Sequence, residues 1–386
     1  MKNKAFGYIY SLCIGAVALA QAAHAELAPE NIPNVERLSE PYSENLLYVH
    51  DGDFESIVAG KVVLLDVAAS SHNYKGALDA AQFPSFIASK QKNELYVAET
   101  FYSRGTRGLR TDILTIYDKS SLKPVAEIPL PGGKRGMTVT HRYTMQLVDN
   151  DKYLLLFNFT PAASIMLIDL QSREILNEVF IPGCSLAYPT GERGFSSLCG
   201  NGSMFTAQFD EKGRVIHQEK LKPFFSVADD PLFDKPVYVG KTAYFPSYKG
   251  QLYPIDLSAK TPHPKTPWSL LSAEEETANW RPGGWQIATV DDAGLIYVLM
   301  HKNGLDGSHK SGGSEAWVYN PSTQKRLKKI TLKNWGVSME VTGGETQYLV
   351  VTNADMQLDV YHANSGKWLK MIGDVAAMPF SLHAIR

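Results

Sequence analysis

The stretch Ile113-Leu-Thr-Ile-Tyr-Asp-Lys-Ser-Ser-Leu-Lys-Pro-Val-Ala-Glu-Ile128 contains the unit that recurs along this chain. Its first five residues are β-branched, aromatic or apolar, which is typical of a strand. Asp118 ends that strand, and the polar residues Lys119, Ser120 and Ser121 favour a tight turn. A second apolar run begins at Val125. The stretch therefore predicts two antiparallel strands joined by an Asp-initiated turn.

The same strand-to-turn pattern recurs along the chain. Apolar strands run into a polar turn at Asp66, Asp118, Asp169, Asp210, Asp256, Asn320 and His362. The intervals range from 41 residues (Asp169 to Asp210) to 64 residues (Asp256 to Asn320). Most of these strands follow another apolar strand, and a four-stranded unit of about 40–50 residues is typical of a propeller blade. The sequence thus predicts an all-β fold, a seven-bladed β-propeller over residues 46–386. Two stacked β-sandwiches are the alternative.

The N-terminal segment has the features of an export signal. Lys2 and Lys4 precede a short apolar run, and Ala23-His-Ala25 is a small-residue cleavage site. Residues 1–25 are therefore interpreted as a secretory signal peptide, with an uncleaved anchor as the alternative. Residues 26–45 contain Pro29, Pro33 and Pro41 and few apolar residues, and they are predicted to form an extended arm.

Composition excludes some classes of function. The formal charge is −2, and removing Lys2 and Lys4 with the signal lowers it to −4, so nucleic-acid binding has no electrostatic basis. No later stretch is apolar for long enough to cross a membrane. We therefore expect a protein that is exported to the periplasm and not membrane-embedded.

Export also affects the interpretation of the cysteines. Cys13 lies in the signal, which leaves Cys184 and Cys199. An even pair in an oxidising compartment predicts a disulfide, with two free structural thiols as the alternative.

Residues with chemical potential cluster in two insertions. Arg104, Arg107 and Arg110 lie in a Gly-rich segment predicted to be a loop, where they could bind an anion, pair with Glu99 and Asp112, or contact another subunit. The longest interval contains a helix candidate with a Ser272/Glu275 capping box. His301, Asp306 and His309 follow, as a metal set or as a solvated loop. We find no nucleophile elbow, phosphate loop or dinucleotide fingerprint, so the chain is interpreted as a scaffold or binding subunit without a catalytic residue of its own.

Several segments resemble the heavy chains of quinoprotein amine dehydrogenases. The matching segments are Ser103-Arg-Gly-Thr-Arg-Gly-Leu-Arg-Thr-Asp112, Phe157-Asn-Phe-Thr-Pro-Ala-Ala-Ser164, Cys184 with Cys199-Gly-Asn-Gly-Ser203, Asp230-Pro-Leu-Phe233, Trp280-Arg-Pro-Gly-Gly-Trp-Gln286, and His309-Lys310 followed by Ala316-Trp-Val-Tyr319. They follow one another along essentially the whole mature chain, so the chain is identified as similar to that family.

The resemblance implies an assembly. The heavy chain is expected to be a seven-bladed propeller that pairs with a disulfide-rich light chain as an α₂β₂ heterotetramer. The light chain is expected to carry tryptophan tryptophylquinone and the catalytic base, to oxidise a small primary amine to aldehyde and ammonia, and to pass electrons to a blue copper protein of the amicyanin or azurin type. The Arg104, Arg107 and Arg110 segment is a possible subunit interface.

One position is linked by resemblance to the substrate. Tyr48-Val-His-Asp-Gly-Asp-Phe54 resembles a family segment whose phenylalanine borders the channel to the quinone, so Phe54 is the candidate channel residue; a structural aromatic is the alternative. Ser226–Phe233, Pro267–Leu271 and Asp306–Lys310 look nearer to aromatic-amine enzymes. Trp280–Gln286 looks nearer to methylamine enzymes. The predicted substrate preference therefore leans only slightly toward aromatic or broader amines.

Two other classes of function remain as alternatives. The chain could be a stand-alone propeller hydrolase or lactonase with a metal in its central channel, although the sequence offers no clear set of ligands. It could also be a non-catalytic binding propeller that has lost its partner.

Overall fold

In the computed structural model, which describes residues 37–53, 56–136 and 139–385, nearly all regular structure is β-strand. One short α-helix, α1 (Ala273–Thr277), has the predicted capping box, because Ser272 Oγ accepts from Glu275 N and the Glu275 side chain accepts from Ser272 N. Three single-turn 3₁₀ helices span Pro131–Gly133, Arg142–Thr144 and Ser308–Lys310. The all-β prediction is confirmed.

Twenty-one of the strands belong to five sheets of blade size. The first three strands are β1 (Leu46–Asp51), β2 (Lys61–Asp66) and β3 (Tyr74–Asp79). The second sheet contains β4 (Gln82–Ala88), β5 (Glu94–Arg104), β6 (Arg107–Asp118) and β7 (Pro124–Leu130). The third contains β8 (Met145–Val148), β9 (Tyr153–Asn158), β10 (Ser164–Asp169) and β11 (Glu174–Phe180). The fourth contains β12 (Cys184–Pro189), β13 (Gly194–Cys199), β14 (Met204–Phe209) and β15 (Val215–Lys220). The fifth contains β16 (Val237–Val239), β17 (Thr242–Pro246), β18 (Gln251–Asp256), β19 (His263–Pro264) and β20 (Trp268–Ser269).

The last strands do not form separate blades. They are β21 (Arg281–Pro282), β22 (Ala288–Val290), β23 (Ile296–His301), β24 (Gly313–Asn320), β25 (Lys325–Val341), β26 (Tyr348–Asn353), β27 (Leu358–His362), β28 (Trp368–Ile372) and β29 (Pro379–Ala384). Except for β29, they belong to one large sheet. The prediction of seven blades is wrong for this reason: the described chain has five separate blade-sized sheets and one eight-stranded sheet.

Strand β25 accounts for the difference. It continues for 17 residues without a turn. Its first part pairs with β24, as in Ala316↔Ile330, and its last part pairs with β26, as in Met339↔Val351. The turn residues Asn320 and His362 therefore belong to the same sheet, although each was counted as a separate blade.

The ring of sheets is closed by the two ends of the described chain. The C-terminal strand β29 pairs antiparallel with β1, in the register Leu47↔Ala384 and Val49↔Leu382. This makes the first sheet a four-stranded one in the order β29-β1-β2-β3. The closure leaves the propeller without a free edge at the junction of its ends.

The spaces between neighbouring sheets are filled with apolar side chains. Tyr96 and Leu114 of the second sheet pack with Leu154 and Met166 of the third. Buried tyrosines add polar links, as where Tyr188 Oη donates to the Asp234 carbonyl at 2.9 Å. Such contacts hold the sheets at fixed positions around the axis.

All seven predicted turn residues accept a backbone N–H with their side chains. The acceptors are Asp66, Asp118, Asp169, Asp210, Asp256, Asn320 and His362. We call the end of the propeller that carries these turns the turn face. The opposite end, where the β5–β6 turn at Gly105 and Thr106 lies, is called the hairpin face.

The predicted signal peptide, residues 1–25, and arm residues 26–36 lie outside the described residues. Residues 37–45 of the arm are described, and Leu38 N donates to the Ser120 carbonyl at 2.8 Å. Tyr42 Oη donates to the Lys119 carbonyl. These contacts attach this part of the arm to the second sheet. Within the described residues, no helix is long and apolar enough to span a membrane.

Candidate subunit-docking face

The segment with the arginines is a projecting β-hairpin, which corrects the prediction of a loop. Strand β4 pairs with β5 only as far as Thr100, and β7 pairs with β6 only from Asp112 onward. Beyond these residues β5 and β6 pair only with each other, as in Phe101↔Thr111. Residues 101–111 therefore extend past their own sheet on the hairpin face.

The base of the hairpin is held by a buried carboxylate. Asp112 accepts from Thr100 Oγ1 at 2.6 Å and from Arg110 Nε and Nη2 at 2.9 and 3.0 Å. Arg110 also donates to the Arg135 carbonyl at 2.7 Å. Because the fork of Arg110 is used in this way, Arg110 positions the hairpin and is not available to a partner.

Arg104 and Arg107 differ from Arg110. Both are exposed at the tip, and neither guanidinium has a partner among the residues that the structure describes. Glu99, a predicted partner, is buried and accepts instead from Ala81 N at 2.8 Å and Thr115 Oγ1 at 2.6 Å. Burial raises the pKa of Glu99. Of the predicted ion pairs in this segment, the structure therefore contains the one between Arg110 and Asp112.

Apolar side chains are also exposed on the hairpin face. Leu109 is 82% exposed near the tip. Phe101 is also exposed and lies on the facing strand, two residues before the position opposite Leu109. Phe159 and Leu305, the latter 73% exposed, lie in other loops of this face. Large exposed apolar side chains beside unpaired arginines are typical of a protein-binding surface.

The centre of this face is occupied by Trp285. Its Nε1 donates to the Thr140 carbonyl at 2.8 Å, and Lys235 Nζ lies 3.9 Å from the centroid of its ring. His141 is buried beside the ring and lies 3.2 Å from Asp234 Oδ1. Burial lowers the pKa of His141. Trp285 is thus fixed in place by a hydrogen bond and a cation–π contact.

The predicted disulfide is confirmed. Cys184 begins β12 and Cys199 ends β13, the two residues are directly opposite in the register, and their sulfurs are bonded. The bond lies at the hairpin-face end of the fourth sheet. It ties the turn at residues 200–203 to the preceding loop, where Gly200 N donates to the Gly183 carbonyl at 2.9 Å.

Phe54, the predicted channel residue, lies outside the described residues. The chain just before it is anchored by Asp51, whose carboxylate accepts from Asp53 N at 3.1 Å and from Ala377 N and Met378 N at 2.8 Å. The role of Phe54 therefore stays a prediction.

The predicted histidine loop does not form a metal-ligand set. His301 Nε2 lies 3.3 Å from Ser308 Oγ, and the ring of His309 packs edge-on to Tyr248. Across residues 37–53, 56–136 and 139–385, no group of three or more His, Cys, Asp or Glu side chains is placed to hold a metal ion. His301 is buried at the end of β23, so the solvated-loop interpretation does not hold for this residue.

The family model described as methylamine dehydrogenase heavy chain (MADH) matches residues 44–384. This chain belongs to the methylamine dehydrogenase heavy chain family. It is 28% identical over 316 residues to the heavy chain of Methylophilus methylotrophus, covering 81% of this chain and 77% of that one. It is 25% identical over 368 residues to that of Methylorubrum extorquens, covering 94% and 88%.

Solved structures agree on the fold. The β-propeller domain of Myceliophteria thermophila Swd1 superposes with a TM-score of 0.52 at 11% identity, covering 79% of this chain and 91% of that domain. At that identity the likeness concerns the fold alone. Membership of a heavy-chain family implies a light-chain partner that carries the cofactor.

Most of the segments that carry the family resemblance lie together on the hairpin face, whereas Ala316–Tyr319 lies within β24 and runs toward the turn face. Residues 103–112 form the projecting hairpin, residues 157–164 join β9 to β10, and residues 230–233 precede β16. The disulfide and the segment 280–286 lie at the same end of their sheets. Sequence alone showed that these segments match the family. Their common location depends on the direction of each strand, because neighbouring antiparallel strands end on opposite faces.

Sequence analysis missed a cavity on the turn face. It has a volume of about 770 Å³ and is lined by residues of all six sheets, among them Arg142, Glu340 and His383. Arg142 Nη2 pairs with Glu340 at 2.8 Å. No local pattern predicts this pair, because the two residues are far apart in the chain and meet only at the propeller axis.

Proposed function

We propose that this chain is the heavy subunit of a periplasmic quinoprotein amine dehydrogenase and that it binds its light chain through the hairpin face. The match of the family model over residues 44–384 carries the proposal. The guanidinium groups of Arg104 and Arg107, which have no partner among the described residues, and the exposed side chain of Leu109 support the choice of face.

The shape of the hairpin suits a docking role. Its backbone is paired along both strands and its base is fixed by Asp112, so little conformational entropy is lost when the tip is covered. Leu109 and Phe101 supply apolar area, and Arg104 and Arg107 supply charge. We infer that the light chain presents carboxylates or carbonyl groups to these arginines around an apolar centre.

The proposed cofactor, tryptophan tryptophylquinone, is assigned to the light chain. The contacting tryptophans of this chain have structural roles: Trp280 and Trp317 lie 4.9 Å apart, and Arg326 and Lys329 lie 4.4 and 4.2 Å from the Trp317 ring. When bound in the assembly, the quinone would accept the electrons of the amine. This chain would exclude water from the site and shape the approach of the substrate, with Phe54 as the predicted channel residue.

The proposed substrate class is small primary amines, and the acceptor is a blue copper protein of the amicyanin or azurin type. The relatives reported above are named methylamine dehydrogenases. The slight preference for aromatic amines stays a prediction. An α₂β₂ assembly is proposed on the family resemblance.

The test is purification of the native protein with its partners from the periplasm. We expect a small co-purifying subunit and a visible absorption band that bleaches when an amine is added. A series of amines from methylamine to phenylethylamine would rank the substrates. A single chain without partner or chromophore would contradict the proposal and favour the alternative, a stand-alone exported propeller.

A further inference from the structure

The turn-face cavity has the walls of a small-molecule site. Its sides carry the apolar residues Ile87, Leu147, Val237, Val239 and Val290. Aromatic residues Phe86, Tyr143 and Tyr238 also line it. Its volume of about 770 Å³ lies within the range of pockets that bind organic ligands.

The carboxylates that line this cavity are used by the protein itself. Asp151 accepts from Ser89 Oγ and from the backbone N–H groups of Lys90 and Gln91, at 2.6 to 3.0 Å. Asp291 accepts from Ala293 N and Leu295 N at 3.0 and 2.8 Å.

The other two acids that line the cavity, Asp292 and Glu340, also accept hydrogen bonds from the protein. Asp292 accepts from Gly344 N at 3.0 Å. Glu340 accepts from Gln286 Nε2 at 2.8 Å and from Arg142. Each acid of the cavity therefore already has a donor from the chain.

The cations of the cavity are less well satisfied. Lys90 and Lys241 are exposed, and their ammonium groups have no partner within the part of the chain that the structure describes. Arg142 bonds to Glu340 and the Leu382 carbonyl through Nη2, while its Nε has no hydrogen-bond partner among the residues described. The lining contains four carboxylates and three cationic side chains, and the side-chain donors without a partner in the described structure are mainly on the cationic side chains. Such donors bind an anion.

We propose that this cavity binds a small organic carboxylate with an apolar body. The apolar walls would take the body, and Lys90 and Lys241 would hold the carboxylate. On the side of Arg142 that is nearer to Trp285 there is only a separate small cavity of about 20 Å³, which shares Arg142 and Tyr143 with the large one. The ligand therefore enters from the turn face, and a partner on the hairpin face leaves this entrance open.

The test is isothermal titration calorimetry on the protein as purified from its host, with phenylacetate as probe. Phenylacetamide is the neutral match, and inorganic sulfate is the anion without an apolar body. We expect phenylacetate to bind at least about tenfold more tightly than either. Only phenylacetate has both an apolar body to contact the walls and a carboxylate to pair with the cations. Absence of binding, or equal binding of the amide or of sulfate, would overturn the proposal.

Variants locate the site. Lys90→Gln combined with Lys241→Gln should weaken phenylacetate binding at least about tenfold. The control pair, Lys212→Gln with Lys220→Gln, removes the same charge from exposed lysines outside the cavity lining and should leave binding within about twofold. All four side chains are exposed, so equal melting temperatures are expected. Unchanged binding in the first pair would refute the assignment.

Discussion

The two faces of this propeller are built differently. On the turn face, each predicted turn is closed by a side chain that accepts a backbone N–H, as Asp118 does from Ser121 N at 2.8 Å. On the hairpin face, the loops vary in length, apolar side chains such as Leu109 are exposed, and Arg104 and Arg107 have no partner in the described structure. The comparison teaches that regular repeats build the scaffold, while departures from the repeat mark the surface available to a partner.

The largest expected effect on light-chain binding concerns the hairpin tip. Leu109→Asp combined with Arg107→Glu should weaken light-chain binding by about 2 kcal/mol or more, roughly 30-fold, because it places charge in an apolar contact and reverses a cation. Co-purification of the light chain and amine-dependent dye reduction measure this.

The matched control for the tip is Leu327→Asp, since Leu327 is an equally apolar, exposed residue on β25 rather than on the hairpin. It should leave assembly intact. Equal loss in both variants, or no loss in the tip variant, would show that the hairpin face is not the docking face.

The second expected effect is on stability. Replacing Cys184 and Cys199 together by Ser should lower the free energy of unfolding by roughly 3 kcal/mol, because the denatured chain regains the entropy of a closed loop. Thermal denaturation with and without reductant measures the change. The ranking of amine substrates should stay the same, and an unchanged melting temperature would contradict a stabilising bond.

The third prediction concerns acid stability of the core between the two faces. Burial lowers the pKa of His50 to about 3, and its Nε2 has no hydrogen-bond partner in the described part of the chain. Because the folded state binds the proton less readily than the unfolded state, the stability present above pH 6.5 is lost as pH falls toward 3.

Replacing His50 by Leu should therefore flatten the dependence of stability on pH below 6.5, by up to ~1.4 kcal/mol per pH unit for one proton. Urea denaturation at pH 7 and at pH 5 measures the slope. The pKa of the half-buried His383 is also lowered, mainly by desolvation, so part of the acid sensitivity should persist. An identical slope in the variant and the parent would refute the role of His50.

The smallest expected effect is on the turn face. Asp118→Ala removes the acceptor for Ser121 N and for the Ser120 and Ser121 hydroxyls, and should cost about 1 kcal/mol of stability. Asp118→Asn keeps an acceptor oxygen and should cost less. Neither change should affect light-chain binding, and a loss of assembly here would break the distinction between the faces.

Prediction from sequence succeeded where the interactions are local. The turns at Asp66 and Asp118 and the Ser272 capping box follow from residue type and spacing. The pairing of Cys184 with Cys199 is predicted because they are the two cysteines left in an exported chain. It failed where the outcome depends on pairing between distant segments. Seven turn residues suggested seven blades, but β25 continues through what was counted as a boundary. The arginine segment is predicted to be a loop because Gly105 and Gly108 favour irregular structure, but its two strands pair with each other as a hairpin.

The sequence by itself determined the all-β class, the positions of the turns, the disulfide and the family. These are set by short-range patterns that each segment carries whatever its neighbours do. Tertiary structure decided the sheet count and the gathering of most family-like segments on one face. It also separated Arg110, which is paired, from Arg104 and Arg107, which have no partner in the described structure. It also decided the cavity at the axis, because Arg142 and Glu340 meet only when the ring is closed.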